Sequence, residues 1–79
     1  MAYLSTMSPG AKKVFDTLSA PTQVHVATAV QGLGADPRPK EASKKPGAGE
    51  RWRLGVDEVV LVYDIDDAAK TVLVVKIRA

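Results

Sequence analysis

Residues 58–78, "EVVLVYDIDDAAKTVLVVKIR", restrict the possible folds more than any other stretch. Two runs rich in β-branched and aliphatic residues flank the polar turn "DDAAK", the pattern of adjacent antiparallel strands. "EVVLVYDI" is apolar at nearly every position, as expected of a central strand covered on both faces. In "TVLVVKIR", strict alternation puts Leu73, Val75 and Ile77 on one face and Val72, Val74 and Lys76 on the other. A second face that carries two valines is too apolar for water alone and predicts a partner surface there. Upstream, "RWRLGV" at 51–56 alternates as well. Trp52, Leu54 and Val56 turn toward a core, and Arg51 and Arg53 stand together on the opposite side.

Such a meander needs a cover. Ser8 before Pro9 is a helix-start signal, since the hydroxyl can cap an orphan N–H and proline suits the first turn. Ala11, Val14, Phe15 and Leu18 follow at helical spacing. Pro21 opens a second helix in which Val26, Val30 and Leu33 recur at i, i+4 and i+7, and Gly34 is the expected stop. With only "SAP" between them, the helices should form an antiparallel hairpin. "AYLST" at 2–6 reads as a short edge strand. The expected architecture is α+β, a single domain over 1–79: an N-terminal strand and an antiparallel helical hairpin packed on one face of a small, mainly antiparallel sheet.

Between the halves lies "ADPRPKEASKKPGAG", residues 35–49, where proline and glycine punctuate the chain and no apolar periodicity survives. An irregular segment of this length in so small a domain is expected to be functional and mobile. It also opens a basic block. Arg38, Lys40, Lys44, Lys45, Arg51 and Arg53 face only Glu41 and Glu50, and the acids Asp57, Glu58, Asp64, Asp66 and Asp67 follow downstream. A local block of this kind is an electrostatic footprint for nucleic acid.

Other chemistries find little support. There are no cysteines and one histidine, His25, so a disulfide framework, a thiolate metal site and a zinc site are not expected, and no cofactor is called for. No segment approaches the roughly 20 apolar residues that span a bilayer, and the N-terminal stretch lacks a basic flank and a long apolar run. A cytoplasmic chain with no membrane contact is the expectation. Glycine-rich phosphate loops, paired-histidine helices and nucleophile elbows are not present either.

Four stretches, in order, carry a resemblance. "SPGA" opens the first helix, "GLGADPRP" follows the second, "KKPGAGERWRL" leads into the meander, and "LVYDIDDAAKTVLVVKI" completes it. Together they resemble the RelE/ParE superfamily of bacterial toxins from toxin–antitoxin pairs, whose patterns run "SPxA", "L…DPRP", "KLxG…yRIR" and "VIYEID…VxVxxI". The resemblance spans almost the whole chain. It implies helices on one face of the sheet, a basic surface on the other, and a cognate antitoxin as partner.

It also implies a target and a chemistry. RelE-type members cut mRNA on the ribosome, and ParE-type members act on gyrase. In cleavage of the first type the ribose 2′-hydroxyl attacks the adjacent phosphate, so proton transfer and stabilisation of a crowded, negatively charged phosphate are both required. By position, the resemblance places phosphate contacts at Lys44 or Lys45, Arg51 and Arg53 and its strand tyrosine at Tyr63; the expected catalytic residues are Arg51, Arg53 and Tyr63, and Lys40, Lys44, Lys45, Lys76 and Arg78 are expected to bind RNA. The pattern departs where Val59 and Val60 stand near the position of another family arginine, and Arg78 is expected to replace a missing terminal one. The reading is therefore a ribosome-dependent mRNA endonuclease. Its alternative is a non-catalytic module of the same fold, either gyrase-directed or binding only its antitoxin.

Overall fold

A computed structural model describes residues 2–44, 46–47, 49 and 51–78. The chain runs β1 (Leu4–Met7), α1 (Pro9–Phe15), α2 (Ala20–Ala35), β2 (Ser43–Lys44), β3 (Arg51–Val56), β4 (Val59–Asp66) and β5 (Thr71–Arg78). The strands form one sheet in the order β1-β5-β4-β3-β2. All neighbours are antiparallel except β1, which lies parallel to β5.

Both helices cover the same face. Ala11 from α1 and Val26, Val30 and Leu33 from α2 form one core with Val59, Leu61, Tyr63, Ile65, Val72, Val74 and Ile77. Trp52, Leu54 and Val56 pack against the rim of that core, as the alternation of β3 requires.

Local chemistry sets the helix boundaries. Ser8 is the extended N-cap of α1, and its hydroxyl accepts from the Ala11 amide at 3.2 Å while donating to the Val75 carbonyl at 3.2 Å. One side chain thus starts the helix and ties it to β5. In α2, Ser19 donates to Thr22, which is buried and donates in turn to the Glu58 carboxylate beyond β3.

Gly34 does not end α2, contrary to its expected role as a stop. The helix continues to Ala35, and Gly34 instead permits close approach to the strand beside it. The Tyr3 amide donates to the Gly34 carbonyl at 2.6 Å, and a β-carbon on Gly34 would lie 2.9 Å from the Tyr3 carbonyl oxygen.

Two further expectations need correction. Segment 35–49 is not wholly irregular, because Ser43 and Lys44 pair with Arg53 and Trp52 to add an edge strand. In β5 the pairing shifts: Lys76 lies opposite Val62, but Val74 lies opposite Tyr63. A bulge at Val75 absorbs the extra residue and reverses the alternation beyond it. Val72, Val74 and Ile77 consequently share the core face, with the two valines fully buried. They cannot form the partner surface that strict alternation placed there.

Candidate nucleic-acid interface

The uncovered face of the sheet is built by register, because residues directly opposite on neighbouring strands share a face. Arg53 lies opposite Val62, and Val62 opposite Lys76. Gly55 lies opposite Val60, and Val60 opposite Arg78. The two rows are adjacent, so Arg53, Lys76 and Arg78 stand around Val60 and Val62. Val62 is only 5% exposed although it lies on this face, flanked by the long side chains of Arg53 and Lys76. The bulge in β5 is what brings Lys76 and Arg78 to this side.

A third row runs Arg51, Asp64, Leu73 and Thr6. Arg51 donates from Nε to Asp64 Oδ1 at 2.7 Å and from Nη2 to Asp64 Oδ2 at 2.9 Å. These bonds hold the Asp64 carboxyl below its ordinary range and push the Arg51 guanidinium higher still. Leu73, 39% exposed, and Leu4, 66% exposed, give the far end of the face an apolar character.

Tyr63 is elsewhere. It is fully buried on the helix side, opposite Trp52, and its hydroxyl donates to the Pro37 carbonyl at 2.9 Å. Burial pushes the phenol up to about 12; Arg38 opposes this in part and Asp36 adds to it. The expected grouping of Arg51, Arg53 and Tyr63 is thus divided between the two sides of the sheet. Tyr63 packs and anchors a loop, and the sheet lies between it and the arginines.

The expected RNA-binding lysines divide as well. Lys76 joins Arg53 and Arg78 on the open face. Lys44 lies opposite Trp52 at the β2 edge, exposed on the other side of the sheet's pleat, and Lys40 is exposed on the loop that leads there. Lys45 falls outside the described residues.

Arg38 proves to be an anchor of the fold. Its guanidinium grips Asp67 through Nη1 at 3.2 Å and Nη2 at 2.8 Å, and lies 5.7 Å from the centre of the Trp52 ring. Tyr3 donates its hydroxyl to the same carboxylate at 2.5 Å. Together, Arg38 first and Tyr3 second, these bonds lower the Asp67 carboxyl to about 2. The start of the segment expected to be mobile is therefore fastened to the β4–β5 turn. His25 reaches Asp57 at 2.6 Å on the helix side, away from the basic rows. Among the described residues, no group of three or more His, Cys, Asp or Glu is placed to hold a metal ion. No helix among them is long and apolar enough to cross a membrane.

Sequence reasoning missed the Asp64 partner of Arg51 and the structural duty of Arg38. The first had a signal: in β4, Val60, Val62, Asp64 and Asp66 alternate with Val59, Leu61, Tyr63 and Ile65, so only the first set carries charge. That parity also places Tyr63 in the core.

No protein-family model matches the sequence, and no curated protein matches it. Solved structures do match in fold. A RelE–RelB complex from the archaeon Pyrococcus horikoshii OT3 is similar with a TM-score of 0.89 at 18% identity, over 99% of this chain and 94% of that one. A RelBE toxin–antitoxin complex from Mycobacterium tuberculosis gives 0.84 at 18% identity, over 99% and 98%. Free E. coli RelE with two arginines changed to alanine gives 0.85 at 20% identity, over 99% and 83%. The chain has the RelE fold.

Proposed function

We propose that this chain, a RelE-fold protein, is the toxin of a toxin–antitoxin pair and engages mRNA on the ribosome through its open sheet face. The observation that carries the reading is the convergence of Arg53, Lys76 and Arg78 around Val60 and Val62. Three cations on a flat surface suit a sugar–phosphate backbone, and arginine can grip a phosphate with two parallel bonds. Cytoplasmic action and a cognate antitoxin that covers the face accompany this reading.

In cleavage, the substrate's own 2′-hydroxyl is the nucleophile, and the forming phosphorane gains negative charge. The attacking 2′-hydroxyl gives up its proton to solvent water, Arg53 and Arg78 stabilise the charge on the phosphorane, and Lys76, two residues before Arg78 on β5, is placed to protonate the 5′-oxygen as its bond to phosphorus breaks. Tyr63 takes no part. A second reading, binding without cleavage as in a gyrase-directed or antitoxin-only module, is favoured by one fact: among the described residues the open face carries neither histidine nor tyrosine for proton transfer.

Programmed ribosomes with mRNA in the A site separate the two. Cleavage by the native chain, reduced at least tenfold in Arg53→Ala, Lys76→Ala or Arg78→Ala while those variants stay folded, supports the nuclease. A folded native chain, freed of antitoxin, that leaves mRNA intact supports the binding module instead.

A further inference from the structure

On the open face, register places an acid opposite only one of the described basic strand residues. Arg53 and Lys76 both stand opposite Val62, and Arg78 stands opposite Val60, whereas Arg51 stands opposite Asp64. The Arg51–Asp64 contact uses the Nε and Nη2 edge of the guanidinium in two parallel bonds of 2.7 and 2.9 Å. That is the edge and the geometry with which arginine takes a phosphate. We infer that Asp64 is a specificity determinant, an internal anion that occupies Arg51 in place of a phosphate and confines a bound RNA backbone to the Arg53, Lys76 and Arg78 end of the face.

The inference rests on the RNA-binding reading above. Its physical basis is local. The pair is cross-strand and in register, so it forms with no distortion of the sheet, and both side chains are about 40% exposed, so an incoming anion meets the carboxylate as well as the arginine. A phosphate that displaced Asp64 would leave two negative groups side by side. On its other flank Asp64 neighbours Leu73, which offers no charge to compensate. The boundary of the cationic surface is thus drawn at Asp64, with Asp66 next along the same face of β4, and Arg51, although basic and partly exposed, lies beyond it.

The test is binding of a short oligouridylate RNA as a function of salt, because each phosphate contact contributes about 0.7 to the slope of log K against log salt for a single strand. Arg51→Ala should leave the native slope unchanged. Asp64→Asn should raise it by about 0.7, and the double variant Asp64→Asn/Arg51→Ala should lose that gain. Arg51→Gln serves as a second variant in the same cycle, with folding checked by circular dichroism and Trp52 fluorescence. A drop of about 0.7 in Arg51→Ala alone overturns the inference, as does an Asp64→Asn gain that persists without Arg51, or no gain at all.

Failure of the underlying reading looks different. If the native chain binds no RNA but Asp64→Asn binds in an Arg51-dependent way, the role of Asp64 stands and the native RNA reading falls. If neither chain binds, both fall.

Discussion

Removing the Tyr63 hydroxyl separates a structural role from a catalytic one. The phenol is fully buried, and its one described bond goes to the carbonyl of Pro37, itself buried. Tyr63→Phe deletes that bond and leaves the carbonyl unsatisfied, which together cost about 1 to 3 kcal/mol. For a domain of this size each kcal/mol lowers Tm by about 4 to 8 °C. The ionisation of the same group supplies an internal check. Its folded value is raised from 10.0 to about 12, so the advantage of the native chain is full below pH 10. As pH rises toward 12 the unfolded phenol loses its proton while the folded one keeps it, and stability falls. Linkage puts the loss at about 2 kcal/mol by roughly pH 11.5. Urea unfolding of native and Tyr63→Phe chains, followed by Trp52 fluorescence from about pH 8 to 11.5, should show a gap that narrows above pH 10. RNA binding by the folded variant should be unchanged. Equal stabilities near pH 8, or a gap that does not narrow, would refute the reasoning.

Three further outcomes follow from the packing. Gly34→Ala should destabilise by about 1 to 3 kcal/mol, because the added methyl meets the Tyr3 carbonyl and α2 must part from β1; chemical denaturation measures it. Val74→Lys should abolish folding by burying an unpaired charge, whereas Leu73→Lys one residue away should fold with a native circular dichroism spectrum, a contrast opposite to the one strict alternation of β5 demands. The Asp67 carboxyl is depressed from 3.8 to about 2 chiefly by Arg38, so its contribution is present above about pH 4 and lost as pH falls toward 2; Asp67→Asn should flatten the acid limb of a pH titration of stability.

How much of the molecule is legible in its sequence differs by element. The three-stranded meander and both helices follow from periodicity, since long β-branched runs and i, i+4, i+7 spacing admit few other arrangements. The bulge at Val75 has no local mark: "LVVK" alternates as readily without it, and only pairing against Tyr63 and Val62 reveals the shift. Its effect on the candidate site is large, because it moves Val72 and Val74 into the core with Ile77 and leaves Lys76 and Arg78 together on the open face. A family pattern misplaces Tyr63 and passes over Arg38 for a different reason. A family pattern weighs each by its chemistry, whereas parity along β4 for the first and a reachable carboxylate in the β4–β5 turn for the second decide their duties. Asp67 reads as a turn residue, but it is also the anchor that Arg38 and Tyr3 share.

The parallel pairing of β1 with β5 has a consequence for the order of events as the chain is made. Leu4 lies beside Thr71, and Ser8 reaches a carbonyl 67 positions further on. The helices are complete long before the strands they must cover have been synthesised. Val26, Val30 and Leu33 therefore precede the strand residues from Val59 to Ile77 that complete their core, and β1 has no strand to pair with until Thr71–Val74 is available. Such early exposed apolar surface invites association with other chains. Strand β1 can therefore take its place at the edge of the sheet only once β5, its strand neighbour, is present.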